Sequence, residues 1–458
     1  MNENDLTAPT RRQFIRQSTC AAVGITSLAS TVFDLRRVAA AAPLAGTDYK
    51  ALVCVFLYGG NDSNNLLVPL DTPDYNSYAA MRLSLALPQA ALLPIAPASG
   101  GDSRAWGLHP SMTGVQSLFA QQKLAILGNV GPLVAPVTRA DYDNGTAALP
   151  PQLFSHSDQT VHWQTSIPDQ PPQTGWGGRV ADLLRAANGT AQISMCMSLA
   201  GSNTFEVGNV VTQFQVSASG GIGLDGYGTD PADPASNALR RLMRKSYGNL
   251  FQTGYRDIFQ RALDNDQLLQ TALASQPPLQ TQFPATDLGG QLNTIARLIQ
   301  ARQVLGQQRQ VFFCATGGFD THGGQLVPHA QLLSDLSGAL SAFYAATVEL
   351  QVANSVTAFT ASDFGRTFLS NGDGSDHGWG SHHLVVGGAV QGGRIFGRVP
   401  TLAIDGPDDS GDGRWIPTTS VDEYSATLAR WFGVSASDMP TVFPNLGRFS
   451  NPNLGFMG

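Results

Sequence analysis

Residues 311–324 read VFFCATGGFDTHGG, which sets Asp320 and His322 two apart in a loop with little side-chain bulk. In an extended segment that spacing projects both side chains to one side, where a carboxylate and an imidazole can share one cation. The pattern recurs. The apolar run 51–58 ends in Gly59, Gly60, Asn61 and Asp62, and the run 355–360 ends in Ser362, Asp363, Phe364, Gly365 and Arg366. Asp376, His377, His382 and His383 then crowd the segment just before another apolar run, so four of the eight histidines fall in two loops. A single Asp after a strand is commonly a turn former or a helix N-cap. Its recurrence beside histidine favours a hard or borderline divalent metal, with zinc the best match. The site would hold one ion, or two about 3.5–4 Å apart that clamp the attacking and leaving oxygens of a displacement.

Other residues are candidates for the reacting end of such a site. Arg366 has the planar guanidinium that grips an oxyanion in two places, although an ion pair with a neighbouring acid would serve the same residue type. Ser111 follows His109-Pro110 at the start of a helical pattern, where a helix N-terminus favours an anionic ester. Ser155 precedes His156 in another loop, and Asn65 could touch substrate or metal. The nucleophile stays open among Ser111, Ser155 and a metal-bound water.

Such loops need a frame. Continuous apolar runs at 51–58, 123–127, 193–199, 311–315, 355–360 and 384–386 read as strands buried on both faces. Between them, residues 109–120, 176–187, 292–304 and 326–352 repeat apolar positions near 3.6. Ser420 with Glu423 makes a capping box for a helix reaching Phe432. Strands alternating with helices predict an α/β fold, a three-layer αβα sandwich around a mostly parallel sheet. In such sheets ligands bind at the carboxyl ends of the strands, where these loops lie. Residues 234–275 are polar and helical without a strand and read as an insertion on one domain spanning 45–458. His329 falls in a helical pattern and reads as a surface histidine.

Composition sets limits. The chain has 458 residues and a net charge of −7, with only three lysines. Beyond residue 41 there are 22 basic against 31 acidic residues, a net −9. A chain so acidic lacks the electrostatic footprint of a nucleic-acid binder. Cys54, Cys196 and Cys314 each sit in an apolar run, with no C-x-x-C pair for zinc or redox chemistry. A glycine pattern at 221–226 follows no strand, and no G-x-S-x-G elbow occurs.

Thr10-Arg11-Arg12-Gln13-Phe14-Ile15 fits a twin-arginine export signal, followed by a mild apolar stretch and alanines offering cleavage near 39–42. That stretch is too short for a stable membrane anchor. The expected mature protein is periplasmic or secreted, delivered by the twin-arginine machinery.

YGGNDSNN, LHPSM, SH at 155–156, FDTHGGQ, SDFGRT, DHGWGSHHLVVGGAVQGG and VDEYSATLARWFGV occur in that order. With these motifs the chain resembles the exported family called domain of unknown function 1501, placed in the alkaline phosphatase and sulfatase superfamily. The resemblance implies an alkaline phosphatase-like fold and metal ligands at Asp62, Asp320, His322, Asp363 and either His377 or His382. It departs from the superfamily in spacing its Asp/His pair by two rather than four, in having Phe364 where a histidine usually follows the aspartate, and in lacking the C-x-P-x-R sulfatase signature. Two functions follow as expectations. One is a metal-dependent hydrolase acting on phosphate or sulfate esters of a small molecule or glycan. The other is an exported scaffold on the same fold, without catalysis, that binds a partner or glycan.

Overall fold

The computed structural model describes residues 48–458 except 99–101, 103, 219, 221–222, 225–226 and 229–231. The expected signal at 1–42 lies outside the described residues. Twelve strands occur among them: β1 (Lys50–Leu57), β2 (Leu67–Pro69), β3 (Leu93–Ile95), β4 (Trp106–Leu108), β5 (Leu124–Gly131), β6 (Cys196–Ser198), β7 (Phe214–Gln215), β8 (Arg309–Thr316), β9 (Val356–Ser362), β10 (Ser381–Gly387), β11 (Ile395–Phe396) and β12 (Thr419–Ser420). Nine of them form one sheet in the order β11-β5-β10-β9-β1-β8-β6-β7, with β12 also on β5. The remaining three, β2, β4 and β3, form a small antiparallel sheet.

The large sheet is mostly parallel because β1 pairs in parallel with both β8 and β9, as do β6 with β8 and β11 with β5. The exception is β10, antiparallel to both its neighbours, β5 and β9. Since β10 runs the other way, its first residue lies at the edge where β1, β5, β8 and β9 end. The segment before β10 therefore meets the segments after the other four.

β1 is buried over both faces, as its unbroken apolar run requires. Ala51, Val53, Val55 and Leu57 pack into one cluster with side chains from the helices Thr113–Ala120, Asp287–Gln300 and Leu326–Glu349. Leu52, Cys54 and Phe56 pack into another with the helices Trp176–Leu184, Val421–Phe432 and Met439–Val442. The fold is thus mixed α/β around a mostly parallel sheet. Ser420 caps the helix Val421–Phe432 with the reciprocal Ser420–Glu423 bonds that its spacing predicts. Among the described residues, Cys54, Cys196 and Cys314 are free and buried. Residues 234–275 hold two helices, Pro234–Arg244 and Leu250–Ala274, and no strand.

Candidate metal centre

Four side chains close on Asp320, which follows β8. Its Oδ1 lies 3.0 Å from His322 Nε2, 3.3 Å from His377 Nε2 and 2.8 Å from Arg366 Nη1, and its Oδ2 lies 3.4 Å from His156 Nε2. The two facing nitrogens, His322 Nε2 and His377 Nε2, are 2.9 Å apart. His156, Asp320 and His377 each offer a donor atom within 4.8 Å of the others'.

Each imidazole is oriented by an oxygen on its far side. His156 Nδ1 is 2.6 Å from Asp363 Oδ2, His322 Nδ1 is 2.9 Å from Asp376 Oδ1, and His377 Nδ1 is 2.7 Å from the Phe154 carbonyl. Those oxygens only accept, so each Nδ1 carries a hydrogen, and in that neutral tautomer Nε2 turns its lone pair towards Asp320. Lone pairs 2.9 Å apart and beside a carboxylate repel unless a proton or cation lies between them. His156 Nε2 and Asp363 Oδ1 are buried with no hydrogen-bond partner. An imidazole held by a carboxylate or carbonyl on its outer nitrogen is also how protein metal sites fix their ligands. Of these side chains, His156, Asp320 and His377 could together hold a metal ion.

Charge follows the contacts. The hydrogen bond to Asp363 raises the His156 pKa, against partial burial. Burial lowers His377, which keeps it neutral over a wider range. Burial would raise the Asp320 carboxyl, but the Arg366 hydrogen bond and charge, with His156 and His322, bring it below the usual carboxylate range.

The scaffold of the loops is tight. Gly59, at φ +112°, turns the chain after β1, and a Cβ there would stand 2.4 Å from the Asp320 backbone nitrogen. The Gly59 N–H donates to Asp363 Oδ2 at 3.1 Å. A Cβ at Gly374 would stand 2.3 Å from the His322 carbonyl carbon. The close approaches to Asp320 and His322 are thus made from outside their own loop. Phe364 sets a buried ring beside the cluster, 4.6 Å from the His156 ring and 4.7 Å from that of His377.

Of the residues singled out by sequence, Asp320, His322, Asp363, His377, His156 and Arg366 come together. Arg366 is buried, and its guanidinium also meets the carbonyls of Gly59 and Ser375, so the ion-pair role is the one its contacts express. The others lie apart. Asp62 is buried in a contact with Arg82, also accepts from Gln325, and caps the short helix Ser63–Leu66. Asn65 donates to the Leu85 carbonyl at 2.9 Å and accepts from Tyr78 at 2.8 Å. The Ser111 N–H meets His109 Nδ1 at 3.1 Å, before a helix that starts at Thr113. His382 Nδ1 accepts from the Asn129 N–H at 3.0 Å, and burial pushes its pKa down to about 4. His329 corrects the surface reading: it is buried, with Nε2 3.1 Å from Asn61 Oδ1. Asp376, given no role by the sequence reading beyond its place beside His377, and the Phe154 carbonyl supply two of the orienting oxygens. A groove of about 740 Å³ lined by Thr138, Arg139, Arg398, Asp408, Thr418 and Asn451 shares no residue with this cluster.

Comparison with known proteins adds the following. The family described as "Protein of unknown function (DUF1501)" matches residues 49–411. No curated protein matches the chain. Among solved structures, the crystal structure of Ps i-CgsB aligns at 9% identity over 88% of this chain and 78% of that one, with a TM-score of 0.35. Its complex with k-i-k-neocarrahexaose aligns at 8% identity over 88% and 77%, with a TM-score of 0.33. The soluble domain of lipooligosaccharide phosphoethanolamine transferase A from Neisseria meningitidis aligns at 8% identity over 90% and 95%, with a TM-score of 0.33.

Proposed function

This chain belongs to the DUF1501 family, and from that premise we propose that it is an exported metal-dependent hydrolase of phosphate or sulfate esters on an alkaline phosphatase-like three-layer αβα sandwich. Residues 1–42 act as a twin-arginine signal and 45–458 as one catalytic domain. The observation that carries the reading is the convergence of three Nε2 atoms on Asp320, each ring anchored through Nδ1. His156, Asp320 and His377, with His322 beside them, would hold the ion, with zinc as the best match to the donor set. When bound, such an ion draws charge from an ester oxygen and lowers the pKa of water.

The chain's own groups then have separate tasks. Asp363 fixes the His156 ring and its tautomer, and Asp376 does the same for His322. Arg366 holds Asp320 in place and limits its negative charge. Phe364 closes the apolar side beneath His156 and His377, which strengthens electrostatic contacts there by excluding water. The substrate is a small-molecule or glycan ester, attacked by water.

Metal analysis of the purified chain, combined with hydrolysis of aryl phosphate and aryl sulfate, tests this. Bound metal in near-stoichiometric amount and turnover of either ester, both lost in Asp320→Asn, are expected. A wild-type chain that binds no divalent ion after loading would sink the proposal.

One observation favours a second reading, a scaffold that has lost catalysis. Among the described residues, no serine, threonine or cysteine side chain is bonded to Asp320, and the Arg366 guanidinium is taken up by protein oxygens. Bound metal without turnover of either ester would favour that reading.

A further inference from the structure

The helices Pro234–Arg244 and Leu250–Ala274 carry a surface unlike the rest of the chain. Leu242, Leu250, Phe251, Tyr255 and Ile258 are 51%, 83%, 86%, 68% and 63% exposed. Phe251, Tyr255 and Ile258 stand at i, i+4 and i+7, so they share one helix face. Asn249 caps that helix by accepting from the Phe251 and Gln252 N–H groups, which fixes the first turn and the two apolar side chains protruding from it.

Charge sets the patch apart as well. Residues 240–261 hold six basic side chains (Arg240, Arg241, Arg244, Lys245, Arg256 and Arg261) against one acid, Asp257. They contribute six of the 22 basic and one of the 31 acidic residues beyond residue 41. A segment of net +5 thus sits on a body of net −14. Arg241, Arg244, Lys245 and Arg261 are exposed. None of these residues belongs to the metal cluster.

We propose that this helical pair docks on the surface of an anionic phospholipid membrane. Exposed apolar and aromatic side chains interleaved with Lys and Arg partition into the headgroup boundary, where the cations meet lipid phosphates. A second copy of the same face fits poorly, because self-docking would bring two surfaces of net +5 together. No described helix is long and apolar enough to cross a membrane, so the contact is peripheral. Its strength comes from apolar insertion and charge acting together, neither being sufficient alone.

Co-sedimentation of the full chain with vesicles tests this, using phosphatidylcholine alone and phosphatidylcholine with about one third phosphatidylglycerol. Binding to the anionic vesicles only, weakening as NaCl rises from about 0.1 to about 1 M, is expected. Phe251→Ser with Tyr255→Ser, and separately Arg241→Glu with Arg244→Glu and Lys245→Glu, should each lower partitioning about tenfold or more. Unchanged circular dichroism and thermal melting would show that these exposed substitutions leave the fold intact. Three results would overturn the proposal: no binding to anionic vesicles, binding by either variant equal to that of the wild type, or a concentration-dependent dimer that the same variants abolish. The last would assign the patch to a second copy.

Discussion

His322 Nε2 and His377 Nε2 face each other at 2.9 Å, each with its Nδ1 already committed to an oxygen. Without a metal, the facing lone pairs repel unless a proton lies between them. A metal replaces that proton, so binding releases it and weakens in acid. Zinc affinity should therefore fall steeply below about pH 6, where histidine ordinarily protonates. His156, whose pKa Asp363 raises, should be the ring that competes with metal at the highest pH. A calorimetric series across buffers of different ionisation enthalpy measures the proton release. Affinity independent of pH from 5 to about 8 would refute the arrangement.

The outer partners should matter nearly as much as the ligands. Asp376→Asn and Asp363→Asn should each lower metal affinity about 10–100-fold while the protein stays folded. His322→Ala and Asp320→Asn should lower it at least as much. Competition with a chelating dye measures all four on one scale.

Arg366 separates stability from binding. Replacing it with Met strands the Gly59 and Ser375 carbonyls, a loss of about 1–3 kcal/mol in chemical denaturation. The variant frees Asp320 from a competing cation, so metal content should be retained or increased. Arg366→Met with wild-type stability and no metal would contradict this.

Asp62 should behave in the opposite way to Asp320. Asp62→Asn breaks its fully buried pairing with Arg82 and should cost about 3–5 kcal/mol. The folded fraction should keep its metal. Denaturation curves and metal analysis on one preparation give both readouts.

A pH effect on stability should come from Glu206, far in sequence from the cluster. It is fully buried, accepts from Asn203 Nδ2 at 2.9 Å, and burial pushes its pKa up from 4.5 to about 8. The folded state therefore keeps a proton that the unfolded chain releases. Stability from this group is full below about pH 4.5 and is lost as pH rises to about 8, by on the order of a few kcal/mol. Glu206→Gln should flatten that decline in urea denaturation at pH 5, 7 and about 9.

The frame was legible where local pattern decides structure. An unbroken apolar run such as 51–57 has no solvent face to offer, so it is a buried strand whatever surrounds it. The Ser420–Glu423 box settles its helix start within four residues. The gathering of loops at one sheet edge was also legible, because Asp62, Asp320, His322, Asp363, His377 and His382 each follow or precede such a run. Partner choice was not. Asp62 looked like Asp320 in sequence, and only the three-dimensional course of the chain sets Arg82 beside one and three imidazoles beside the other. His156 arrives after a 24-residue passage from the end of β5, with no spacing to tie it to Asp363. His329 was misjudged because helical periodicity does not say which face meets the loop after β1.

The reversed strand β10 has a consequence for how this site can change over generations. β10 spans seven residues, about 23 Å at strand rise. Had it run with its neighbours, Asp376 and His377 would emerge that far away, at the opposite edge. Instead one link, 363–380, leaves the edge with Asp363 and returns to it with His377. A single insertion or deletion near one end of this link would slide the His156 orienter, and near the other end a donor nitrogen. Length changes at its exposed middle, around 370–373, would leave both anchored. Relatives that lose this cluster are expected to do so through the length of this one link before any of its histidines or Asp320 is substituted.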